Sequence, residues 1–250
     1  MDELFITGAG VSAESGIPTF RGRDGFWTIG SKNYTPQEMA TRYMYENNPK
    51  EFLVWYYKRF AKYRNILPNQ VHKWLSKKNL ITQNIDGLDG KAGNNDYIAI
   101  HGRLDKVTLF HEQGLQVEVF DAPWNIIANE CPDEEDKKKL EHTLLDYFKI
   151  SKVTLKPEKM KSLKPFVLLF DEFYTNIYRM REAEEWMQKS KKITFLGTSF
   201  SVNITTIALN IANINNADIE IVDPNPIDLN INKAKYHKMT ARQYINNLSK

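Results

Sequence analysis

The residues of this chain that can do chemistry come in clusters, and each cluster follows a short apolar run. Leu4-Phe5-Ile6-Thr7 leads straight into Gly8-Ala9-Gly10-Val11-Ser12, a strand that breaks at glycines and restarts as a helix. In a parallel α/β sheet such a junction receives a diphosphate. Gly8 and Gly10 let the backbone turn and approach closely, and N–H groups at the helix start meet the negative charge. A lone Gly-x-Gly is a weak signal. A second cluster follows Leu80-Ile81: Thr82-Gln83-Asn84-Ile85-Asp86-Gly87-Leu88 sets two amides, a carboxylate and a glycine close together. Those side chains supply the donors and acceptors that a buried polar ligand needs, and the plain alternative is an Asx turn closing a strand. His101-Gly102 ends Tyr97-Ile98-Ala99-Ile100. An imidazole titrates near neutrality and suits a general base; the plain alternative is a hydrogen-bonded loop histidine.

Two further runs behave alike. Ile193-Thr194-Phe195-Leu196 enters Gly197-Thr198-Ser199, and Ile219-Glu220-Ile221-Val222 enters Asp223-Pro224-Asn225-Pro226. Gly197, Thr198 and Ser199 offer backbone N–H and hydroxyl groups to a phosphate or ribose. Asp223 offers a carboxylate to ribose hydroxyls, with an Asp-Pro turn as the dull reading. Strands that repeatedly end in polar or glycine clusters predict an α/β fold, a Rossmann-like doubly wound parallel sheet whose ligand crevice lies at the strands' carboxyl ends.

Length and charge bound this picture. A chain of 250 residues, 42% hydrophobic, buries one α/β core plus a modest insertion. The net charge of +3, from 34 basic and 31 acidic residues, argues against a dedicated nucleic-acid partner. No apolar run approaches the roughly 20 residues of a membrane span. Met1 stands three residues before the first strand, which leaves no room for a leader and predicts a cytoplasmic protein without a membrane partner. The expected large lobe takes about 1–30, 68–102 and 162–250, and a small lobe takes about 31–67 and 103–161.

The order and content of the clusters resemble the sirtuin family, the NAD-dependent protein deacylases. The resemblance rests on Gly8 through Gly22, on Thr82 through Leu88 with Ala92-Gly93 just after, on His101-Gly102, on Lys164-Pro165-Phe166-Val167-Leu168-Leu169-Phe170-Asp171-Glu172, and on Gly197-Thr198-Ser199. It spans roughly residues 4–226. It implies that NAD lies stretched across the crevice, held by Gly8, Ala9, Gly10, Ser12, Gln83, Asn84, Asp86, Gly197, Thr198, Ser199 and Asp223. Phe20 would shield the reactive ribose and Arg21 would lie near the phosphates. Asp86 would hold the nicotinamide carboxamide, Asn84 and Gln83 would reach amide and ribose hydroxyls, and His101 would be the general base, with Asn84 its catalytic companion. Asp223 would repel a 2′-phosphate and so favour NAD. The implied partner is an acylated-lysine protein or peptide, whose backbone would add as a strand at the segment containing Phe170.

Several departures accompany the resemblance. The family builds a zinc ribbon from two Cys-x-x-Cys knuckles, since four thiolates satisfy tetrahedral zinc. This chain has a single cysteine, Cys131, so that site cannot form, and the small lobe is expected to lack zinc. A site rebuilt from His111, Cys131 and His142 is the weaker reading against packing and chance. The lobe is expected to hold a hairpin, with arms 107–110 and 115–120 around the turn 111–114, and a helix over 133–148. Thr19 stands where the family has Asp, and Asp171 replaces a flexible glycine. Tyr56 and Arg59 share one helix face and match the spacing of sirtuins that prefer succinyl or malonyl lysine; an aromatic core helix is the alternative. NAD-dependent lysine deacylation is therefore the expected function. ADP-ribosyl transfer or NAD hydrolysis without deacylation is the rival, and a non-catalytic NAD sensor ranks last.

Overall fold

The structure, a computed structural model, describes residues 1–19, 34–231 and 233–248. Its strands are β1 (Glu3–Thr7), β2 (Leu80–Thr82), β3 (Ile98–Ala99), β4 (Gly102–Leu109), β5 (Val119–Asp121), β6 (Leu163–Val167), β7 (Lys192–Leu196), β8 (Asp218–Asp223) and β9 (Ala234–Lys238). The described residues form two compact units. One comprises Met1–Thr19, Ile66–His101 and Tyr178–Lys250; the other comprises 34–65 and Gly102–Ile177.

The first unit is a six-stranded sheet in the order β3-β2-β1-β7-β8-β9, with every neighbouring pair parallel. Counted within the unit, that is the 3-2-1-4-5-6 order of a dinucleotide fold. Strands buried on both faces must be apolar throughout rather than alternating. Leu4, Phe5 and Ile6 of β1 and Ile193, Phe195 and Leu196 of β7 are accordingly almost wholly buried. One face packs Val71 and Leu75 together with Tyr244 and Ile245 of the last helix, Ala241–Leu248. Helices Met180–Lys189 and Asn203–Ile214 pack against each other and the latter also against β8.

Register sets the functional edge. Thr7 of β1 lies opposite Thr82 of β2 and Leu196 of β7, Thr82 lies opposite Ala99, and Leu196 lies opposite Val222. The residues that follow each strand therefore leave the sheet along one rim. The order reverses between β1 and β7, which is where open α/β sheets bind ligands.

The second unit carries a three-stranded antiparallel sheet, β5-β4-β6, and helices Arg42–Asn47, Pro49–Tyr63, Trp124–Glu130 and Lys137–Tyr147. Its core is aromatic: Tyr45, Phe52, Tyr57, Trp124 and Phe148 are at most 1% exposed. The expected hairpin is altered. Val107 pairs with Phe120 and Thr108 with Val119, so β5 starts at Val119, and 110–118 forms the connection instead of a four-residue turn. The unit boundary also moves. Residues 162–177 belong to this unit because β6 pairs antiparallel with β4. The helix begins at Lys137, where Asp136 caps it by accepting from the Lys139 N–H at 3.2 Å.

The three residues weighed as a rebuilt metal site take separate partners. The Cys131 thiol donates to Thr143 Oγ1 at 3.3 Å, His142 Nδ1 faces Asp146 at 3.2 Å on an exposed surface, and His111 Nδ1 lies 2.6 Å from the Leu109 carbonyl. Among the described residues, no group of three or more His, Cys, Asp or Glu is gathered for a metal.

Candidate active site

The rim of the first unit brings together most of the residues singled out from sequence. Gly8, Gly10 and Gly197 interlock where β1 and β7 end. Gly8 N–H donates to the Leu196 carbonyl at 3.0 Å, and Gly10 N–H donates to the Gly197 carbonyl at 2.9 Å. A Cβ on Gly8 would sit 2.7 Å from Gly197 O, and one on Gly10 would sit 2.8 Å from Gly197 Cα. Gly197 itself has φ +58°. The glycines thus serve first to let two loop backbones touch at the switch point.

Gln83 bridges the same junction from β2. Its side-chain N–H groups donate to Thr7 O and Thr198 Oγ1, both at 3.1 Å. Asn84 donates from Nδ2 to Gly8 O and to Ser12 Oγ, again at 3.1 Å each. Two donations from one nitrogen fix the amide orientation and leave Oδ1 as the side chain's acceptor. Asp86 is held at both oxygens: Oδ2 accepts from Ser12 Oγ at 2.6 Å and Oδ1 from Leu88 N–H at 2.9 Å. The second bond is the Asx turn expected as the plain reading, and the first ties the same carboxylate to Ser12.

His101 Nδ1 lies 3.0 Å from the Gln83 carbonyl. A carbonyl only accepts, so Nδ1 carries the proton and Nε2 keeps the lone pair a general base needs. Desolvation pushes its pKa down to about 4, outweighing the Gln83 bond that raises it. The imidazole is thereby held in its neutral form across the neutral range, with Nε2 as its acceptor.

Behind this rim lie residues that the sequence reading passed over. His72, 0% exposed, places Nε2 3.4 Å from Ser12 Oγ. Burial lowers its pKa, and the charge of Asp86 opposes that shift. Asn69 caps the helix Gln70–Leu75, accepting from Val71 and His72 N–H groups, while its own N–H donates to His72 Nδ1 at 3.3 Å. Asp89, 2% exposed, has a pKa raised to about 7 by desolvation, then by Asp86, against a Thr82 hydrogen bond that lowers it. The available signal was the spacing of Asn69 and His72 at a helix start.

Asp223 closes β8 with Oδ1 accepting from Asn225 N–H at 2.8 Å, the turn geometry. Thr198 is buried against Gln83, and Ser199 pairs with Ser201. Phe20 and Arg21 lie outside the described residues. In the second unit, Tyr56 and Arg59 are 3% and 4% exposed on helix Pro49–Tyr63. The Arg59 guanidinium lies 3.1 Å from the Trp55 ring centroid, and burial lowers its pKa to about 9. Phe170 is 58% exposed. Asp171 does not strain the backbone, since its φ is not positive. Its carboxylate accepts from Arg42 N–H at 2.6 Å and Tyr43 N–H at 3.0 Å, capping helix Arg42–Asn47.

Residues 8–204 match the model of the Sir2 family. An NAD-dependent protein deacylase of Leptospira interrogans is 31% identical over 235 residues, covering 88% of this chain and 80% of that protein. NAD-dependent protein deacylase 1 of Caldanaerobacter subterraneus is 41% identical over 138 residues, covering 52% and 54%. In that and similar high-identity matches, the chain spans about half the length of the relatives. A Sir2 homologue solved with ADP-ribose superposes with TM-score 0.71 at 25% identity, over 98% of this chain and 89% of the other. A Sir2 homologue–NAD complex gives the same score and identity over 98% and 87%.

Proposed function

This chain belongs to the Sir2 family, and from that premise and the rim geometry we propose that it is an NAD-dependent protein-lysine deacylase that transfers the acyl group to ADP-ribose and releases nicotinamide. The single observation that carries the reading is the convergence of Asn84, Asp86 and His101 at the β1/β7 switch point with defined donors and acceptors.

The donor set fits a dinucleotide. Interlocked glycines bring the backbones that follow β1 and β7 together beside Thr198, while amide, carboxylate and hydroxyl groups line the adjacent rim. Bound NAD supplies an electrophilic anomeric carbon and a leaving nicotinamide. Asp86, held at both oxygens, orients the carboxamide end by accepting from its N–H. Asn84 Oδ1 accepts from ribose hydroxyls or an attacking water. His101 Nε2 takes the proton of a ribose hydroxyl, and its Nδ1–H bond to Gln83 keeps that lone pair aimed while the charge develops. Gly8, Ala9, Gly10, Gly197 and Ser199 line the diphosphate path, and Asp223 selects NAD over its 2′-phosphorylated form.

The finer part of the proposal concerns the acyl group. Burial costs the Arg59 guanidinium hydration, so a succinyl or malonyl carboxylate reaching Tyr56 and Arg59 would regain Coulomb energy that an acetyl group cannot offer. The test is mass spectrometry of protein incubated with NAD and acetyl-, succinyl- and longer-acyl-lysine peptides, beside His101→Ala. Free lysine with O-acyl-ADP-ribose, reduced about 100-fold or more in the variant, is expected. NAD consumption with every acyl group intact would move the assignment to NAD hydrolysis or ADP-ribosyl transfer.

A further inference from the structure

The chain between Phe148 and Leu163, in the second unit, is a surface loop closed at its base. Leu163 N–H donates to the Phe148 carbonyl at 2.9 Å, and Ser162 Oγ donates to the Lys149 carbonyl at 2.7 Å. Within the loop, Ser151 N–H donates to Lys156 O at 3.1 Å and Leu155 N–H donates to Ser151 O at 2.9 Å. Glu158 N–H donates to Ser162 Oγ at 2.8 Å, and the Glu158 carboxylate takes a bond from the Ser151 side chain. Two turns, 151–156 and 158–162, thus share one scaffold, as in compact surface loops held by their own contacts.

The turns hold aliphatic side chains out in water. Val153 is 93% exposed, Leu155 62% and Met160 52%. Leu155 and Met160 have φ of +54° and +60°, the left-handed region that glycine or asparagine enters at less cost. A turn with only a chain to reverse is better served by those residues, so the outward aliphatic groups have a cause outside the turn. Lysines flank all three: Lys152 precedes Val153, Lys156 follows Leu155, and Lys159 and Lys161 stand on either side of Met160. With Lys149, residues 149–162 hold five lysines and one glutamate, a local +4 in a chain whose total is +3. Three of these lysines meet carboxylates: Lys152 reaches Asp146 at 3.0 Å, Lys161 reaches Glu158 at 2.9 Å, and Lys159 reaches Glu112. With Asp146 and Glu112 counted as well, lysines still outnumber acids five to three. Exposed pairs of this kind hold weakly and exchange readily for another anion.

Aliphatic tips between cations fit a surface that is anionic at its face and hydrocarbon beneath. A single-stranded nucleic acid would call for aromatic tips on which bases stack, and residues 149–162 contain none. A soluble acidic chain would satisfy the lysines and leave Val153 and Leu155 in water. We propose that the loop 149–162 docks this protein on an anionic phospholipid surface. Val153, Leu155 and Met160 enter the boundary between headgroups and acyl chains, while the lysine ammonium groups lie among the lipid phosphates. Among the described residues no helix is long and apolar enough to cross a membrane, and docking of this kind needs none. The proposal draws nothing from the rim and is tested apart from the NAD reading.

Sedimentation of the full chain with phosphatidylcholine vesicles, with and without phosphatidylglycerol, provides the test. Binding is expected only with the anionic lipid, and is expected to weaken as salt is raised. Val153→Ser with Leu155→Ser keeps every charge and is expected to weaken binding by about tenfold or more. Lys152→Gln with Lys156→Gln keeps the aliphatic tips and is expected to weaken it by about fivefold for each lysine removed. All four side chains are exposed, so both double variants should melt as the wild type does. Val153→Trp gives a gain instead of a loss. An indole prefers the membrane interface, so its emission is expected to shift to the blue on anionic vesicles alone, with tighter binding. No sedimentation with the anionic vesicles, equal uptake by both lipids, or an unshifted Val153→Trp emission would overturn the proposal. Binding that the serine pair leaves intact and poly-glutamate abolishes would assign the lysines to a soluble polyanion and overturn it as well. So would a lipid-free dimer lost in the serine pair, which would assign the aliphatic tips to a second copy of the chain.

Discussion

His101 and Asp89 titrate in opposite senses, and the signs decide how stability depends on pH. His101 has a native pKa of about 4, below the ordinary histidine value of 6.5. The unfolded chain therefore binds the extra proton between those values, and stability rises with pH through that window. His72 shifts the same way. Asp89 has a native pKa of about 7 against 3.8. The native state keeps a proton that the unfolded state has released, so this residue costs stability as pH climbs from about 4 to 7. Its Oδ1 is buried without a hydrogen-bond partner, which makes the charged form expensive. Asp89→Asn removes that cost while retaining an acceptor for Thr82. Thermal melts are expected to show the variant more stable than wild type by about 1–3 kcal/mol at pH 8, with no difference near pH 4 and the low-pH limb from the histidines intact. Equal melting at pH 8 would refute the assignment of a protonated, buried Asp89.

Asp171 shows how an element can reverse the meaning of a substitution. Read as a residue, a charged side chain in place of glycine predicts lost backbone freedom. In the fold, it accepts two N–H groups of helix Arg42–Asn47, and Glu172 beside it bonds Arg42 and the fully buried Lys164. Phe170 N–H also donates to the Ala40 carbonyl at 2.9 Å, which ties down the segment that carries Phe170. Asp171→Gly removes a cap of about 1 kcal/mol. Hydrogen exchange of the Arg42 and Tyr43 amides is expected to quicken by about fivefold or more; unchanged exchange would remove Asp171 from this role. The strands that carry the site were legible because each is an apolar run buried on both faces and closed by a polar cluster. β9 was not, since Ala-Lys-Tyr-His-Lys is a partly exposed edge with no apolar run. Leu163–Val167 was read as belonging to the wrong unit because an apolar run states that a strand is buried and says nothing of which sheet receives it. His72 was missed because a histidine at a helix start looks like a cap until its other nitrogen is seen to meet Ser12.

At the scale of the whole chain, the question is what holds the second unit when four zinc-binding thiolates cannot be assembled from one cysteine. A small unit needs either a metal or a dense apolar core. Trp124 supplies a centre for the latter: it is 1% exposed, its Nε1–H donates to Leu104 O at 2.7 Å, and its ring lies 4.9 Å from Phe148, 5.9 Å from Phe60 and 6.3 Å from Tyr57. Those contacts tie the helix that Trp124 begins, Trp124–Glu130, to Pro49–Tyr63 and to the C-cap of Lys137–Tyr147, which is the cross-linking work a metal would do. Trp124→Ala is therefore expected to cost about 3–5 kcal/mol, read as a lost or lowered melting transition. A chelator such as phenanthroline should leave the wild-type melting temperature and NAD affinity unchanged, with zinc substoichiometric by elemental analysis. Stoichiometric zinc whose removal lowers melting would show that aromatic packing is not the principal support, and would require a metal site that His111, Cys131 and His142, each engaged with a different partner, do not form as they stand.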